Sequence, residues 1–173
     1  MVRASRPFPR CWRCWSDADR APVIRRSGAD EAETHFAIQR AACLPALAHI
    51  FPPDQYPFPD DEIRRRWREW RGTVLVAERD GVPVGIAGVE TCWLHGFYVR
   101  PEWWGSGVAD ELHAAALAAM PDCAELKLWV LEENHRARRF YEKRGWRRNG
   151  ETRVVPYPPS PLDVGYSFVR EEP

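Results

Sequence analysis

Lysine is almost missing from this 173-residue chain: only Lys127 and Lys143 occur among 25 basic residues, and the rest are arginine. That bias fits a GC-rich coding sequence and carries no chemistry of its own. Excess charge is missing as well, since 25 basic and 25 acidic residues leave a formal net charge of +0. The balance removes any whole-molecule attraction to nucleic acid or acidic membranes and leaves only local patches. No apolar run approaches the ~20 residues that span a bilayer, and the basic N-terminus lacks the apolar centre of a secretory signal. The five cysteines (Cys11, Cys14, Cys43, Cys92, Cys123) are odd in number and widely spread, in a chain large enough to need no covalent staples. A reducing cytoplasm is the simplest setting.

What is present is the composition of a folded domain, 45% hydrophobic and 29% charged. Residues 1–20 show neither helical nor strand periodicity and read as an extension, leaving a domain over 21–173. Their Cys11-x-x-Cys14 has no second ligand pair to complete a zinc site and no strand before it to make a redox motif, so no metal is expected. A strand is expected over 22–28. An amphipathic helix follows over 29–43, with Asp30 as cap and Phe36, Ala37, Arg40 and Ala41 on one face. The proline-rich stretch 52–59 makes a stiff loop. Ile63, Trp67 and Trp70 form the apolar stripe of a helix over 60–70. Two β-rich runs flank Asp80-Gly81, a hairpin signal, and a strand over 92–101 carries Gly96 as a candidate bulge. A helix from 108 to about 121, a strand over 124–131 and a helix over 134–146 follow, the last capped by Asn134 and ended by Gly145. Two strands separated by "PYPPSPL" (156–162) close the chain. The order β-α-α-β-β-β-α-β-α-β-β is that of an α/β fold, a mixed sheet with helices packed on it.

"PEWWGSGVADEL" (101–112) is the stretch that asks for a function. Glycine offers no packing, yet Gly105 and Gly107 stand at the mouth of a helix whose first N–H groups lack partners. A phosphate could rest on the amides of Gly105, Ser106, Gly107, Val108 and Ala109, with the helix dipole behind it. No Gly-Lys-Ser/Thr follows, which excludes a P-loop, and Asp110 holds the third glycine position of a dinucleotide fingerprint. A plain structural turn remains open on these residues alone.

"LHGFYVRPEWWGSGVADEL" followed by "LWVLEENHRARRFYEKRGW" resembles the GCN5-related N-acetyltransferase (GNAT) superfamily. That family joins a bulged strand to an Arg/Gln-x-x-Gly-x-Gly/Ala turn, met here by Gly107 and Ala109. A second motif of Asn and Ala-x-x-Phe-Tyr-Glu-Lys-x-Gly-aromatic is met by Asn134, Ala137, Phe140, Tyr141, Glu142, Lys143, Gly145 and Trp146. Trp104 departs from the first position of the turn, and Arg136, Arg138 and Arg139 are candidates to replace the missing charge. The resemblance implies a central, mostly antiparallel sheet flanked by helices, with acetyl-CoA as co-substrate. Its pyrophosphate would lie on the glycine turn and its pantetheine arm along the backbone of Phe97, Tyr98 and Val99. It also implies that Tyr141 is the general acid, a phenol still protonated at neutral pH.

Deprotonating the attacking ammonium needs a base, for which Glu90 is favoured over His95. The aromatics Tyr56, Phe58, Trp93 and Tyr157 point to a flat or apolar amine acceptor. The expected partner is a small-molecule amine, with no nucleic acid and no membrane, and homodimerisation stays open. The alternatives are an acetyltransferase of protein N-termini or lysines, marked by a wide acidic groove, and a CoA-binding regulatory module without turnover.

Overall fold

The computed structural model describes residues 21–28 and 30–170. The extension expected over residues 1–20, with Cys11 and Cys14, lies outside the described residues. The elements run β1 (Val23–Arg26), α1 (Ala32–Ala46), α2 (Asp60–Glu69), β2 (Thr73–Arg79), β3 (Val82–Glu90), β4 (Trp93–Val99), α3 (Val108–Ala118), β5 (Glu125–Leu131), α4 (His135–Glu142), β6 (Arg147–Val154) and β7 (Leu162–Val169). Their order is the one expected from the hydrophobic periodicities, and they make one seven-stranded mixed sheet, β1-β2-β3-β4-β5-β7-β6. β4 and β5 pair in parallel and the other neighbours are antiparallel.

Asp80 and Gly81 both take positive φ, 51° and 75°, the geometry of the tightest hairpin turns. They fix the register of β2 on β3, and both strands are buried along most of their length. Burial on both faces follows from two separate cores. Phe36, Ile38, Ile63 and Trp67 of α1 and α2 pack on one face against Val74, Val76 and Ile86. Val108, Leu112 and Ala116 of α3, with Tyr141 of α4, pack on the other.

Three expectations are corrected. The start of α1 is held by Glu31 and not by Asp30: the Glu31 carboxylate accepts from the Gly28 amide at 2.6 Å, the Ser27 hydroxyl at 2.9 Å and Arg25 at 2.6 Å. The face of α1 that turns inward is His35, Ile38, Gln39 and Ala42, beside Phe36, whereas Arg40 points out to Asp60 at 2.9 Å. Polar side chains on the core side hid this face from a reading by hydrophobicity. Finally, Cys92 and Cys123 form a disulfide, although the chain was expected to need no staple. The residues just before β4 and β5 meet because those strands start side by side.

Candidate active site

β4 and β5 pair only where they start, at Trp93 with Lys127 and Leu94 with Leu128. Beyond Leu94 they part. The register of β4 on β3 slips between Gly96 and Leu94, leaving His95 as the extra residue of a bulge beside Gly96, as the lone strand glycine predicted. A Cβ on Gly96 would come within 3.3 Å of both the Tyr98 and Trp67 rings, so glycine permits that close approach. Two cavities open at the split. One of about 300 Å³ runs past Phe97, Tyr98 and Val99 to Gly105, Gly107 and Ala109. The other, about 800 Å³, lies between α1, α2, β4 and the strand ends of β5, β6 and β7. Cys43, Phe97, Tyr98, Asn134, Ala137 and Tyr141 border both.

The glycine turn leaves room and open amides at the start of α3. Gly105 and Gly107 have φ of 79° and 86°, and nothing lies within 4 Å of a Cβ added at either. The amides of Gly105, Gly107, Val108 and Ala109 find no backbone acceptor among the described residues, while Ser106 turns both its amide, at 3.4 Å, and its hydroxyl, at 2.7 Å, onto the Trp103 carbonyl. Arg79, buried beneath, donates to the Ser106 carbonyl at 3.4 Å. Of the arginines considered as extra charge, Arg136 borders the smaller cavity and stacks 3.5 Å over the Trp104 ring. Arg138 is engaged elsewhere, with Tyr166 at 3.1 Å and the Glu132 carbonyl at 2.9 Å. Trp104 donates its indole N–H to the Val99 carbonyl at 2.7 Å, so one of the acceptors assigned to the pantetheine arm already has a partner.

Asn134 caps α4 by accepting from the Ala137 amide at 3.1 Å, which fixes where Tyr141 falls two turns later. Tyr141 is 7% exposed. Burial raises its pKa, so the phenol keeps its proton throughout the physiological range. His95 borders the larger cavity, edge-on to Trp70 at 5.3 Å. Burial pushes its pKa below 6.5; Glu90 opposes that shift, and Arg153 and Arg66 reinforce it. Glu90 stands outside the lining, with a carboxylate oxygen 4.0 Å from His95 Nε2.

The four aromatics expected at the acceptor site, Tyr56, Phe58, Trp93 and Tyr157, all line the larger cavity. Tyr157 donates to the Glu62 carboxylate, joining the β6–β7 loop to α2. His49 Nε2 bonds the Glu133 carbonyl at 3.0 Å and ties the loop after α1 to the one before α4. Sequence reasoning missed Cys43, Arg66, Arg153 and Asp163, which also face this cavity. They come from four elements, and no spacing connects them. Burial pushes the Cys43 thiol up to about 12, so it is neutral at pH 7 and a poor nucleophile.

A split between parallel strands, with a glycine-lined helix start beside it and an Asn-capped helix carrying a buried tyrosine, matches a known family. Residues 42–146 fit the model of the acetyltransferase (GNAT) family. The chain belongs to that family. It is 36% identical over 88 residues to an uncharacterised N-acetyltransferase of Archaeoglobus fulgidus, a match covering 43% of this chain and 60% of the relative. YjaB of Escherichia coli, solved in solution in its apo form, superposes with a TM-score of 0.71 at 25% identity, covering 87% of this chain and 99% of YjaB. YncA of Salmonella typhimurium, solved with its cofactor acetyl-CoA, superposes at 0.64 with 15% identity, covering 88% and 96%. Acetyl-CoA is the co-substrate of this family. No helix among the described residues of the GNAT chain is long and apolar enough to cross a membrane.

Proposed function

We propose that the chain transfers an acetyl group from acetyl-CoA to the primary amine of a small molecule, by direct attack with both substrates bound. The observation that carries this reading is the meeting of the two cavities at Tyr141. The smaller cavity offers free amides and Arg136 to phosphates, and the larger is a lined chamber of the size that takes small molecules. Bridges from Tyr157 to Glu62 and from His49 to Glu133 cross its rim, and its one acidic lining residue, Asp163, is paired with Arg153. A protein substrate would call for a wider, acidic groove.

Acetyl-CoA supplies the activated acyl group when bound, and the chain's residues do the rest. Holding both reactants at one junction removes much of the entropic barrier to their meeting. His95, neutral at pH 7, accepts the proton that the ammonium must lose before its nitrogen can attack the acetyl carbon, and Glu90 stabilises the imidazolium so formed. As the C–S bond breaks, the Tyr141 hydroxyl protonates the departing sulfur, and the second proton shed by the nitrogen as it becomes an amide returns to the phenolate. The same dry surroundings that hold the phenol protonated also raise the basicity of the thiolate, so the transfer is not opposed on that account. Cys43 takes no part because its thiol stays protonated.

Tyr141→Phe keeps the ring and removes the donor. Single-turnover acetylation of a verified amine should slow by roughly 10²–10⁴-fold, the span of general acid catalysis, with acetyl-CoA affinity little changed. A variant with the full single-turnover rate would assign the proton to water. Binding of CoA without acetyl transfer to any amine would leave a CoA-binding module instead of an enzyme.

A further inference from the structure

We propose that the acceptor amine also carries a carboxylate, and that Arg66 is the residue that holds it; this rests on the acetyltransferase reading above. The larger cavity has four charged or titratable side chains of the Arg, Asp and His types in its lining: Arg66, His95, Arg153 and Asp163. Asp163, only 6% exposed, accepts from Arg153 Nε at 2.9 Å and Nη2 at 2.8 Å, so those two charges cancel. Arg153 is further held 4.6 Å over the Trp129 ring. His95 is neutral at pH 7. Among the described residues one positive charge of this lining, that of Arg66, is left without a counter-ion.

Its isolation is specific to this position. On the same helix Arg64 pairs with Glu33 and Asp61, Arg65 with Glu69, and Arg68 with Glu33. Among the described residues no carboxylate lies within salt-bridge distance of Arg66. It donates from Nη2 to Gln39 Oε1 at 3.3 Å and lies within hydrogen-bonding reach of the Tyr98 hydroxyl, and the same Gln39 oxygen accepts from the Trp67 indole at 2.8 Å. An indole N–H can only donate, so it fixes which end of the buried Gln39 amide faces Arg66. Gln39 thus steers a cation into the chamber. That charge reaches Cys43 and Tyr98, which border both cavities, and also His95. A carboxylate seated there leaves an amine a few bonds away at the junction where the acetyl group and the base meet. Guanidinium and carboxylate match as planar, two-point partners. The aromatic remainder of the lining suits a flat apolar body, and with no uncompensated acid in the chamber a polyamine is a poor fit.

The test uses the full-length protein, acetyl-CoA and matched probes: phenylalanine against phenethylamine, tryptophan against tryptamine, and spermidine. Rates come from thiol release and products from mass spectrometry. The acid of each pair should have the higher kcat/KM by roughly 10- to 100-fold, as expected for hydrogen bonds to a charged group. Arg66→Met should collapse that ratio towards one, Arg66→Lys should restore part of it, and both variants should keep CoA affinity. Preference for the decarboxylated partners or spermidine overturns the proposal, as does an Arg66→Met variant that slows both members of a pair equally. If no probe is acetylated, calorimetry with CoA present separates the two readings. Arg66-dependent binding of the acids keeps the anion site and counts against acetyl transfer to amines of this kind, whereas acids that bind no better than their amines sink the anion site.

Discussion

At the mouth of the smaller cavity the Arg136 guanidinium lies 3.5 Å over the Trp104 indole, where the family's turn carries arginine or glutamine. Positive charge therefore arrives from α4, across the cleft, and the stacked guanidinium keeps its N–H edges open to a phosphate. Arg136→Ala should weaken acetyl-CoA binding roughly 3- to 30-fold at low ionic strength, the discounted range of an exposed charge-assisted contact. The deficit should shrink near ~1 M salt, where exposed charges are screened. Calorimetry at the two ionic strengths measures both effects; an unchanged low-salt affinity would reduce Arg136 to packing for Trp104. His95 permits a second test at this scale. The bulge turns it towards the chamber, and burial holds its pKa below 6.5. The neutral imidazole proposed as the base is thus fully present above about pH 6.5 and is lost as pH falls through the lowered pKa. kcat at saturating amine should trace that acid limb. His95→Gln should abolish the limb and slow the reaction by roughly 10²–10⁴-fold. A limb that survives in the variant would pass the role to Glu90 or water.

The elements themselves were legible because each carries a local signal. Asp80-Gly81 marks a hairpin, Gly96 a bulge, and Asn134 and Gly145 bracket a helix, which is why Asn134 and Tyr141 could be placed from sequence. The inward face of α1 was not legible, since His35 meets Ser27 through its Nε2 and Gln39 meets Trp67, 28 residues on. Arg66, Arg153 and Asp163 were missed for the same reason: packing brings them together, and no repeat or spacing does. Two buried or paired groups at helices also set how the fold meets acid. Arg25 holds the Glu31 carboxylate at the start of α1 down to about 2, from 4.5. On α3 burial, reinforced by Arg144, lowers His113 from 6.5 to about 4, and its Nε2 accepts from Trp146 at 2.9 Å. Both folded-state values are depressed, so both contributions are full above the unfolded pKa and are lost as pH falls. Melting temperature should drop first between about pH 6.5 and 4, as His113 protonates and loses the Trp146 bond, and again between about 4.5 and 2 through Glu31. The gap between the parent and Glu31→Gln should close across that second window. A gap independent of pH would mean that the Arg25 contact does not act through the carboxylate charge.

The molecule as a whole has to hold two half-sheets apart at one end and together at the other. β1 to β4 form one half and β5, β7 and β6 the other, joined by two register pairs and by the Lys127 amide on the Cys92 carbonyl at 2.8 Å. So short a seam is a weak joint for a fold whose chemistry depends on the opening beyond it. The Cys92–Cys123 bond lies at the closed end, outside the lining of either cavity. It closes a loop with a sequence separation of 31 residues, and in the chain-entropy model a bridge of that span stabilises by about 3–4 kcal/mol. For a chain of this size that corresponds to roughly 6–15 °C in melting temperature. Reduction, or the double change Cys92→Ala and Cys123→Ala, should lower the melting temperature by about that amount. Acetyl-CoA affinity at 25 °C should stay within a few-fold, because the cradle at Gly105 to Ala109 and the wall from Phe97 to Val99 lie beyond the seam. Scanning calorimetry with and without reductant, paired with CoA titration of the double variant, reads the two effects separately. A melting temperature indifferent to both treatments would show that the backbone pairs alone hold the seam. A stable double variant that had lost CoA affinity would show that the bridge sets the width of the cleft as well as its closed end.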